Sequence, residues 1–376
     1  MLREGGAVYV DKTSYISKIL ESNSQYYFLA RPRRFGKSLF LSTLRYFFEG
    51  RRELFHGLHI DSEDWDWQSY PVLRLDLNIN RYDEPGRLDG ILDNYFNNWE
   101  NAYGVTSKST ELSSRFENII EAAHEHTGLP VVILVDEYDK PLVVNLNHDV
   151  NFEHYRSRLA SLYSNFKSSA EHIRLVFMTG VSRFSKLSVF SDLNNIVDIT
   201  FSDEYADIYG ITEQELHENF KGGIEKLAVY EDCTADEAVV LLKQNYDGYR
   251  FARNGSEIYN PWSLLNCLNE SYIGNYSNQT GMPTIIAEAL KRVDTDLENI
   301  FNTECELDIL IGLDLLNPDP VALLYQTGYL TIKNYDRSLR TVVLGIPNRE
   351  VKEGLMKTLL PYYIKIKQGV PENICI

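Results

Sequence analysis

The chain has 376 residues, of which 44% are hydrophobic and 24% are charged, and its formal net charge is −17. Such values are typical of a folded globular protein and exclude a disordered chain, a collagen-like fibre and a coiled-coil rod. The length predicts about two to three domains. A chain this acidic is not expected to coat nucleic acid over its whole surface, although a local basic patch could still bind it.

The sequence contains no stretch near the roughly 18 consecutive apolar residues that a membrane-spanning helix needs. Its longest aliphatic run, residues 131–135, has the length of a buried strand. The N-terminal residues lack the apolar centre of a signal peptide. The chain has four cysteines, Cys233, Cys267, Cys305 and Cys375. They are too far apart in the sequence for a zinc site. We therefore expect a cytoplasmic protein with reduced thiols and no membrane partner.

Over the first half of the chain, short apolar segments alternate with segments of helical periodicity. Strands are predicted at residues 26–30, 72–77, 131–135, 173–180 and 196–201. Helices are predicted between them, at residues 39–48, 86–103, 111–127 and 152–170. This alternation predicts an α/β fold in which helices cover both faces of a parallel sheet.

After residue 203 the pattern becomes mostly helical. Thr212 and Glu215 have the spacing of a capping box at a helix start. Further helices are predicted at residues 234–245, 261–268 and 320–326, and a hairpin at 328–333 and 341–346. A helix followed by a hairpin is compatible with a winged helix. We therefore divide the chain into a core at 1–203, a helical lid region at 204–300 and a winged-helix-like region at 301–376.

Gly36-Lys37-Ser38 lies between the first strand and the following helix. A phosphate-binding P-loop has a glycine, four residues and then Gly-Lys-Ser or Gly-Lys-Thr, and in this sequence Arg31 stands at the first glycine position. Backbone N–H groups at the helix start can hold phosphate oxygens. In such a loop Lys37 would reach the β- and γ-phosphates and Ser38 would bind Mg²⁺. The alternative is a basic surface turn. The predicted nucleotide-binding residues are Arg33, Arg34, Phe35, Gly36, Lys37, Ser38 and Leu39.

Asp136 and Glu137 directly follow the aliphatic third strand. In P-loop ATPases an aspartate at a strand end holds Mg²⁺, and an adjacent glutamate can polarise the attacking water. Ligands of open α/β sheets bind at the carboxyl ends of the strands, so both motifs would face one crevice. We predict Asp136 as a metal ligand and Glu137 as catalytic. The alternative is that both carboxylates simply begin a loop.

Thr179 lies where the fourth strand ends, and Arg183 follows it closely. In ATPases with an additional strand in the sheet, a polar residue at this position senses the γ-phosphate. Arg183 would then act as an arginine finger, in cis or in a homo-oligomer in trans. The alternatives are that Thr179 only ends a strand and that Arg183 pairs with a surface carboxylate.

Two further segments are candidates for contacts with the nucleotide. Residues 9–13 could flank an adenine base, or Asp11 or Thr13 could instead cap a helix over residues 14–21. Residues 260–263 could contribute a lid residue, or Asn260 could instead be the cap of a helix that begins at Pro261.

Several segments together resemble the bacterial AAA-ATPase-like family over nearly the whole chain. They are residues 9–13 (YVDKT), 27–38 (YFLARPRRFGKS), 134–141 (LVDEYDKP), 177–184 (FMTGVSRF), 246–251 (YDGYRF), 259–263 (YNPWS) and 326–332 (QTGYLTI). The resemblance implies a P-loop ATPase core followed by a lid or winged-helix region. It also implies that Arg31 in place of the first glycine is compatible with nucleotide binding.

Members of this family often carry a nuclease-like domain of the PD-(D/E)XK type after the ATPase. The sequence after residue 350 contains no Asp…Glu-x-Lys strand set of that kind. We therefore expect either the ATPase portion of a longer protein or a member that lacks the nuclease.

Two functions follow as hypotheses. The first is an ATP-binding and ATP-hydrolysing switch that uses Mg²⁺ and moves the C-terminal region. The second is a nucleotide-binding scaffold that binds nucleic acid or a partner protein with little turnover. It rests on a basic stretch at residues 31–52, where Glu49 is the one acidic residue. The basic residues of this stretch are Arg31, Arg33, Arg34, Lys37, Arg45, Arg51 and Arg52. Much of that charge would face nucleotide phosphates under the first hypothesis.

Overall fold

The computed structural model describes residues 3, 5–78, 81–82, 84, 86–106, 109–146, 149–183, 195–277, 302–314 and 319–357. The chain divides into two compact units, Met1–Tyr209 with Gly312–Asn317, and Gly210–Ile311 with Pro318–Ile376. Parts of the predicted lid and winged-helix regions, and Cys375, lie outside the described residues. The division of the C-terminal half near residue 300 stays a prediction.

The first unit contains a parallel sheet of β1 (Tyr26–Ala30), β2 (Val72–Asp76), β3 (Val131–Asp136), β4 (Ile173–Gly180) and β5 (Val197–Asp198). The strand order is β2-β3-β4-β1-β5, and every neighbouring pair is parallel. The predicted α/β fold is thereby confirmed, with β4 as an additional strand between β1 and β3. The carboxyl ends of β1, β4 and β3 are consequently neighbours.

Burial follows the position of each strand in the sheet. All residues of β1 and β3 are buried, because both faces of these strands are covered, whereas β2 at the edge alternates. The fifth strand is shorter than predicted. The Asp198 carboxylate accepts a hydrogen bond from the Thr200 N–H, and the Thr200 hydroxyl accepts one from the Ala30 N–H. Beyond Asp198 the Ile199 N–H still donates to the Phe28 carbonyl at 2.9 Å, and at Ala30 the Thr200 hydroxyl takes the place of a backbone acceptor.

The helices of the first unit are α1 (Ser14–Glu21), α2 (Lys37–Phe48), α3 (Arg87–Tyr103), α4 (Leu112–Thr127), α5 (Lys140–Val143) and α6 (Asp149–Ser168). An aromatic contact joins α3 to α4, with the rings of Phe96 and Phe116 stacked at 5.3 Å between centroids. Arg115 on α4 adds ion pairs to Asp93 and Glu100 on α3. No helix among the described residues is long and apolar enough to cross a membrane.

The second unit is mostly helical, as predicted. Its helices are α7 (Glu213–Asn219), α8 (Lys221–Tyr230), α9 (Ala235–Tyr246), α10 (Pro261–Glu270), α11 (Leu307–Ile311), α12 (Pro320–Gln326) and α13 (349–357). The predicted capping box of Thr212 and Glu215 is present at the start of α7. Asn260 caps α10, accepting hydrogen bonds from the N–H groups of Trp262 and Ser263.

The second unit also contains a small antiparallel sheet. Its strands are β6 (Glu304–Glu306), β7 (Thr331–Asp336) and β8 (Thr341–Gly345), in the order β6-β8-β7. The predicted hairpin is therefore β7-β8, and it follows α12 directly in the chain. Whether this helix and hairpin belong to a winged helix stays a prediction.

Candidate functional site

The loop between β1 and α2 contains two residues in the left-handed region of the backbone. Gly36, the N-cap of α2, has φ 100°, and Arg34 has φ 72°. Glycine adopts this conformation without strain, whereas a residue with a Cβ rarely does. Alternation of right- and left-handed residues turns successive N–H groups to one side and forms an anion-binding concavity. The unbonded N–H groups of the first turn of α2 extend it.

The Lys37 ammonium is buried within this loop. Nζ donates hydrogen bonds to the backbone carbonyls of Arg31 and Pro32, both at 3.1 Å, and lies 3.2 Å from Oε1 of Glu137. An ammonium has three N–H donors, and three oxygens surround this one. The side chain is therefore fixed at the centre of the loop, and one of its partners comes from β3's carboxyl end.

Arg31, at the position of the absent first glycine, is a buried structural residue. Its guanidinium donates to the carbonyl oxygens of Ala30 and Thr200, at 3.0 and 2.6 Å. The backbone N–H of Arg31 donates to the Gly180 carbonyl. The side chain thus joins the end of β1 to the segment after β5. Its charge faces the interior of the unit, and the loop gains rigidity from it.

Asp136 is buried at the end of β3, beside the start of α2. Burial raises the pKa of its carboxyl, and a hydrogen bond with the Ser38 hydroxyl partly opposes this rise. Arg74 of β2 lies 3.8 Å from its Oδ2 and 3.4 Å from the Asp76 carboxylate. Oδ1 of Asp136 is buried and has no hydrogen-bond partner among the described residues. A buried carboxylate oxygen of this kind is suited to a cation.

The turn after β3 is held against the end of β4. Glu137 has φ 53°, a left-handed conformation that costs free energy in a residue with a Cβ. The Asp139 carboxylate accepts hydrogen bonds from the N–H groups of Val181 and Ser182, at 3.1 and 2.7 Å. Burial, with a contribution from Glu137, raises the pKa of Asp139 to about 6. These bonds hold Glu137 in its position.

Thr179 and Arg183 lie near this turn but have other partners. The Thr179 hydroxyl donates to the Leu29 carbonyl at 2.9 Å, across the β4-β1 pair. The carbonyl of Thr179 accepts from the Tyr138 N–H at 3.1 Å. The Arg183 guanidinium pairs with the Asp198 carboxylate of β5. Thr179, the predicted γ-phosphate sensor, therefore lies next to the site, but its hydroxyl is hydrogen-bonded within the sheet. Arg183, the predicted arginine finger, forms an ion pair with Asp198.

The other predicted nucleotide-binding residues differ in exposure. Phe35 is buried, whereas Arg33, Ser38 and Leu39 are exposed at the loop and the first turn of α2. Burial lowers the pKa of Lys140, and the nearby charge of Arg33 lowers it further. The loop therefore has exposed cationic and hydroxyl groups on its outer side.

The basic stretch carries less free charge than the sequence suggests. Arg31 and Lys37 are buried. Three more of its arginines form ion pairs with nearby acidic residues, and these pairs are Arg45–Glu49, Arg51–Glu53 and Arg52–Asp61. Neither the two buried residues nor the three ion-paired arginines present an open basic patch to nucleic acid.

Comparisons with known proteins identify the family of this chain. Residues 1–190 match the family model described as "Predicted AAA-ATPase". The chain belongs to the AAA-ATPase-like family. An uncharacterized protein in the vnfD 5′ region of Azotobacter chroococcum mcd 1 is 36% identical over 370 residues, which make up 96% of this chain and 68% of that relative. The resemblance is thereby confirmed, and family membership supports nucleotide binding. A nuclease-like domain stays a prediction.

Sequence reasoning did not single out three polar residues beside this candidate site, Arg74, Asp76 and Asp139. Arg74 and Asp76 lie on the same face of β2, and Asp76 is directly opposite Asp136 in the β2-β3 register. Their position near the carboxyl end of the predicted strand 72–77 was the sequence feature that could have identified Arg74 and Asp76 as site residues. Asp139 lies within the quoted segment 134–141, but its bonds to Val181 and Ser182 depend on the sheet order, which brings β4 beside β3.

Proposed function

We propose that this protein binds ATP with Mg²⁺ in the loop between β1 and α2 and hydrolyses it. The observation that carries the proposal is the 3.2 Å contact between Lys37 and Glu137. These residues lie 100 positions apart in the chain. Lys37 belongs to the loop proposed to bind phosphate, and Glu137 is the residue proposed to activate water. Family membership adds support at the level of nucleotide binding.

The residues beside the loop fit a magnesium ion. Magnesium in nucleotide sites takes one or two protein oxygens and completes its shell with phosphate oxygens and water. The Ser38 hydroxyl and the unpartnered Oδ1 of Asp136 are oxygens of this kind. No group of three or more acidic, histidine or cysteine side chains that could hold a metal by itself occurs among the described residues. Bound there, Mg²⁺ would neutralise charge on the β- and γ-phosphates.

Lys37 and Glu137 would exchange partners when ATP binds. A γ-phosphate oxygen would take the place of the Glu137 carboxylate on the Lys37 ammonium, because a phosphate carries more negative charge. Glu137 would then be free to accept a proton from a water molecule. The water oxygen bonds to the γ-phosphorus while the bond to the β–γ bridging oxygen breaks, and ADP and phosphate are released. The proton passes from water to Glu137 and then to solvent.

Thr179 and Arg183 would enter this reaction only after changing partners. The Thr179 hydroxyl would have to leave the Leu29 carbonyl, and Arg183 would have to leave Asp198. We therefore assign the chemistry to Lys37 and Glu137 and leave a γ-phosphate contact from Thr179 or Arg183 as a prediction. A homo-oligomer in which Arg183 acts in trans stays a prediction with it.

The nucleic-acid scaffold has less support than the ATPase. The buried or ion-paired state of five of its seven basic residues leaves little exposed positive charge for phosphate backbones.

Equilibrium binding of Mg²⁺-ATP and release of phosphate test the proposed function. Lys37→Met is expected to weaken binding of ATP by at least about 100-fold, because the buried ammonium is the centre of the loop. Lys243→Met is the matched control, since Lys243 forms an exposed ion pair with Glu213 in the second unit. Normal ATP binding by Lys37→Met would overturn the assignment of the loop.

A further inference from the structure

Two histidines of the first unit face each other between the end of α4 and the start of β4. Nδ1 of His124 lies 2.8 Å from Nδ1 of His172, and the centroids of the two rings are 5.1 Å apart. The two residues are 48 positions apart in the chain, so their spacing in the sequence does not indicate the contact. Both are only partly buried, and the pair is therefore accessible to ions from solvent.

The fold holds each histidine close to the start of a strand. His172 is the last residue of a short 3₁₀ turn and directly precedes β4, and His124 lies in the last turn of α4, shortly before β3. Val131 and Ile173, the first residues of β3 and β4, are partners in the parallel register. The pair is therefore at the amino ends of these strands, whereas the phosphate loop follows the carboxyl end of β1. It is separate from the proposed nucleotide site.

The short contact restricts where the two rings carry their protons. A neutral imidazole has one N–H donor and one nitrogen that accepts, so one Nδ1 donates to the other. Nε2 of His172 lies 3.9 Å from Oε1 of the Glu171 carboxylate, and this negative charge favours a proton on Nε2. Nδ1 of His172 then has a lone pair directed at His124, which donates from its own Nδ1.

The positions of the two rings suit a zinc ion. Zinc binds imidazole nitrogen at about 2.0–2.1 Å with tetrahedral angles, which places two ligating nitrogens about 3.3 Å apart and their ring centroids about 5 Å apart. The centroids already have that separation, so opening the Nδ1 contact by about 0.5 Å would admit the ion. The proton of His124 moves from Nδ1 to Nε2. Histidines that ligate metals typically direct their other N–H at a carboxylate or carbonyl, and Glu171 lies on that side of His172.

We propose that His124 and His172 form a binding site for a divalent transition metal, and that zinc is the ion which the ring positions suit. Imidazole is a preferred ligand of zinc, whereas magnesium prefers oxygen. Within the part of the chain that the structure describes, no third histidine, cysteine or acidic side chain completes the set, so water occupies the remaining positions. The site is therefore weaker than a structural zinc site with four protein ligands. The inference does not depend on the proposed function.

Equilibrium dialysis of the full chain against Zn²⁺ at pH 7.5, without nucleotide, tests the proposal. The unaltered protein is expected to bind one equivalent of zinc that His124→Gln and His172→Gln bind at least about tenfold more weakly, because even partners outside the coordination shell change metal affinity by that factor. His126→Gln is the matched control, since His126 lies in the same turn of α4 and is exposed. This variant should bind zinc as the unaltered protein does.

Two further measurements keep the test decisive if a variant folds poorly. Thermal unfolding with and without Zn²⁺ should show a rise of the midpoint in the unaltered protein and in His126→Gln, because an ion that binds only the folded state stabilises it. At pH 5.5 the unaltered protein should lose the zinc equivalent, since a protonated imidazole cannot ligate a metal. Zinc binding that is equal in the unaltered protein and in both His124→Gln and His172→Gln, or that persists at pH 5.5, would overturn the proposal and leave the contact as a hydrogen bond alone.

Discussion

The Lys37 ammonium lies 3.2 Å from the Glu137 carboxylate, although one residue begins a helix after β1 and the other follows β3. The contact is possible because β4, inserted between these strands, has its own end bonded to the turn that carries Glu137. An almost buried ion pair is stabilising only where its geometry and further hydrogen bonds are good, and Lys37 also has two loop carbonyls. The pair joins the start of α2 to the turn after β3.

The first prediction concerns Glu137→Gln. We expect phosphate release to fall by about 100-fold or more, because the amide cannot accept a proton from water. ATP affinity is expected to stay equal or to rise, since the charged competitor of phosphate on Lys37 is lost. Steady-state phosphate release and equilibrium ATP binding measure the two effects. Glu53→Gln is the control, an exposed carboxylate paired with Arg51, and unchanged turnover in Glu137→Gln would remove this residue from the mechanism.

The second prediction concerns the close approach at Gly180. A Cβ added there would lie 2.6 Å from Oδ1 of Asp139 and 2.6 Å from a ring carbon of Tyr138. Neither group can move freely, because Asp139 accepts two N–H bonds and the Tyr138 hydroxyl donates to the Ser182 carbonyl. Gly180→Ala is therefore expected to cost about 1–3 kcal/mol of unfolding free energy. It should also slow ATP turnover by displacing the Glu137 turn.

Urea unfolding of the matched variant Gly222→Ala provides the comparison. Gly222 lies in α8, and a Cβ there would meet nothing within 4 Å. Alanine favours a helix over glycine by about 1 kcal/mol, so this variant should be equal to or more stable than the parent. Equal stability of Gly180→Ala and the parent would show that the turn after β3 can shift.

The alternation of strands and helices in the first unit was predicted correctly, as were the positions of Gly36-Lys37-Ser38 and Asp136-Glu137 after β1 and at the end of β3, because periodicity is a local property. The roles of these residues stay predictions. The sequence analysis could not predict which charges would be neutralised. Arg52 pairs with Asp61 and Arg74 approaches Asp136, contacts that depend on the folded chain path. The left-handed backbone of Glu137 could not be predicted either, since such a conformation is expected for glycine and not for glutamate.

The third prediction concerns the pH dependence of stability. Burial raises the pKa of Asp247 to about 6, partly opposed by the Gly248 N–H and increased by Glu257. The folded state therefore binds the proton more tightly than the unfolded state. The resulting stabilisation is complete below about pH 4 and is lost as the pH rises through about 6. Asp247→Asn should accordingly be more stable than the parent by about 2–3 kcal/mol at pH 7.5, and equal to it at pH 4.

Asp336→Asn is expected to act in the opposite direction. Hydrogen bonds from the Ser338 hydroxyl and the Leu339 N–H lower the pKa of Asp336, so its carboxylate stabilises the fold at neutral pH and loses that effect in acid. Chemical unfolding at pH 4 and 7.5 compares Asp247→Asn with the parent, whereas Asp336→Asn is compared at about pH 2.5 and 7.5, because its effect is lost only below the unfolded pKa of about 3.9. A stability difference for Asp247→Asn that is the same at both pH values would contradict the assignment of a raised pKa.

The fourth prediction concerns Glu350, a buried carboxylate of the second unit near the start of α13. It accepts hydrogen bonds from the Ser263 hydroxyl at 2.8 Å and from the N–H groups of Tyr276 and Ser277 at 2.6 and 2.9 Å. These bonds join α13 to α10 and to the segment after it. Glu350→Ala removes the carboxylate that accepts these three hydrogen bonds, so it is expected to reduce the unfolding free energy by about 2–4 kcal/mol.

Glu353→Ala is the matched control on the same helix, because the Glu353 side chain is about half exposed and forms an ion pair with Arg349. Exposed pairs of this kind contribute about 0–1 kcal/mol, so this variant should unfold close to the parent. Glu350→Gln separates charge from contact: its amide oxygen can still accept, and it should therefore lose less stability than Glu350→Ala. Equal losses in Glu350→Ala and Glu353→Ala would mean that the three hydrogen bonds of Glu350 do not hold α13 in place.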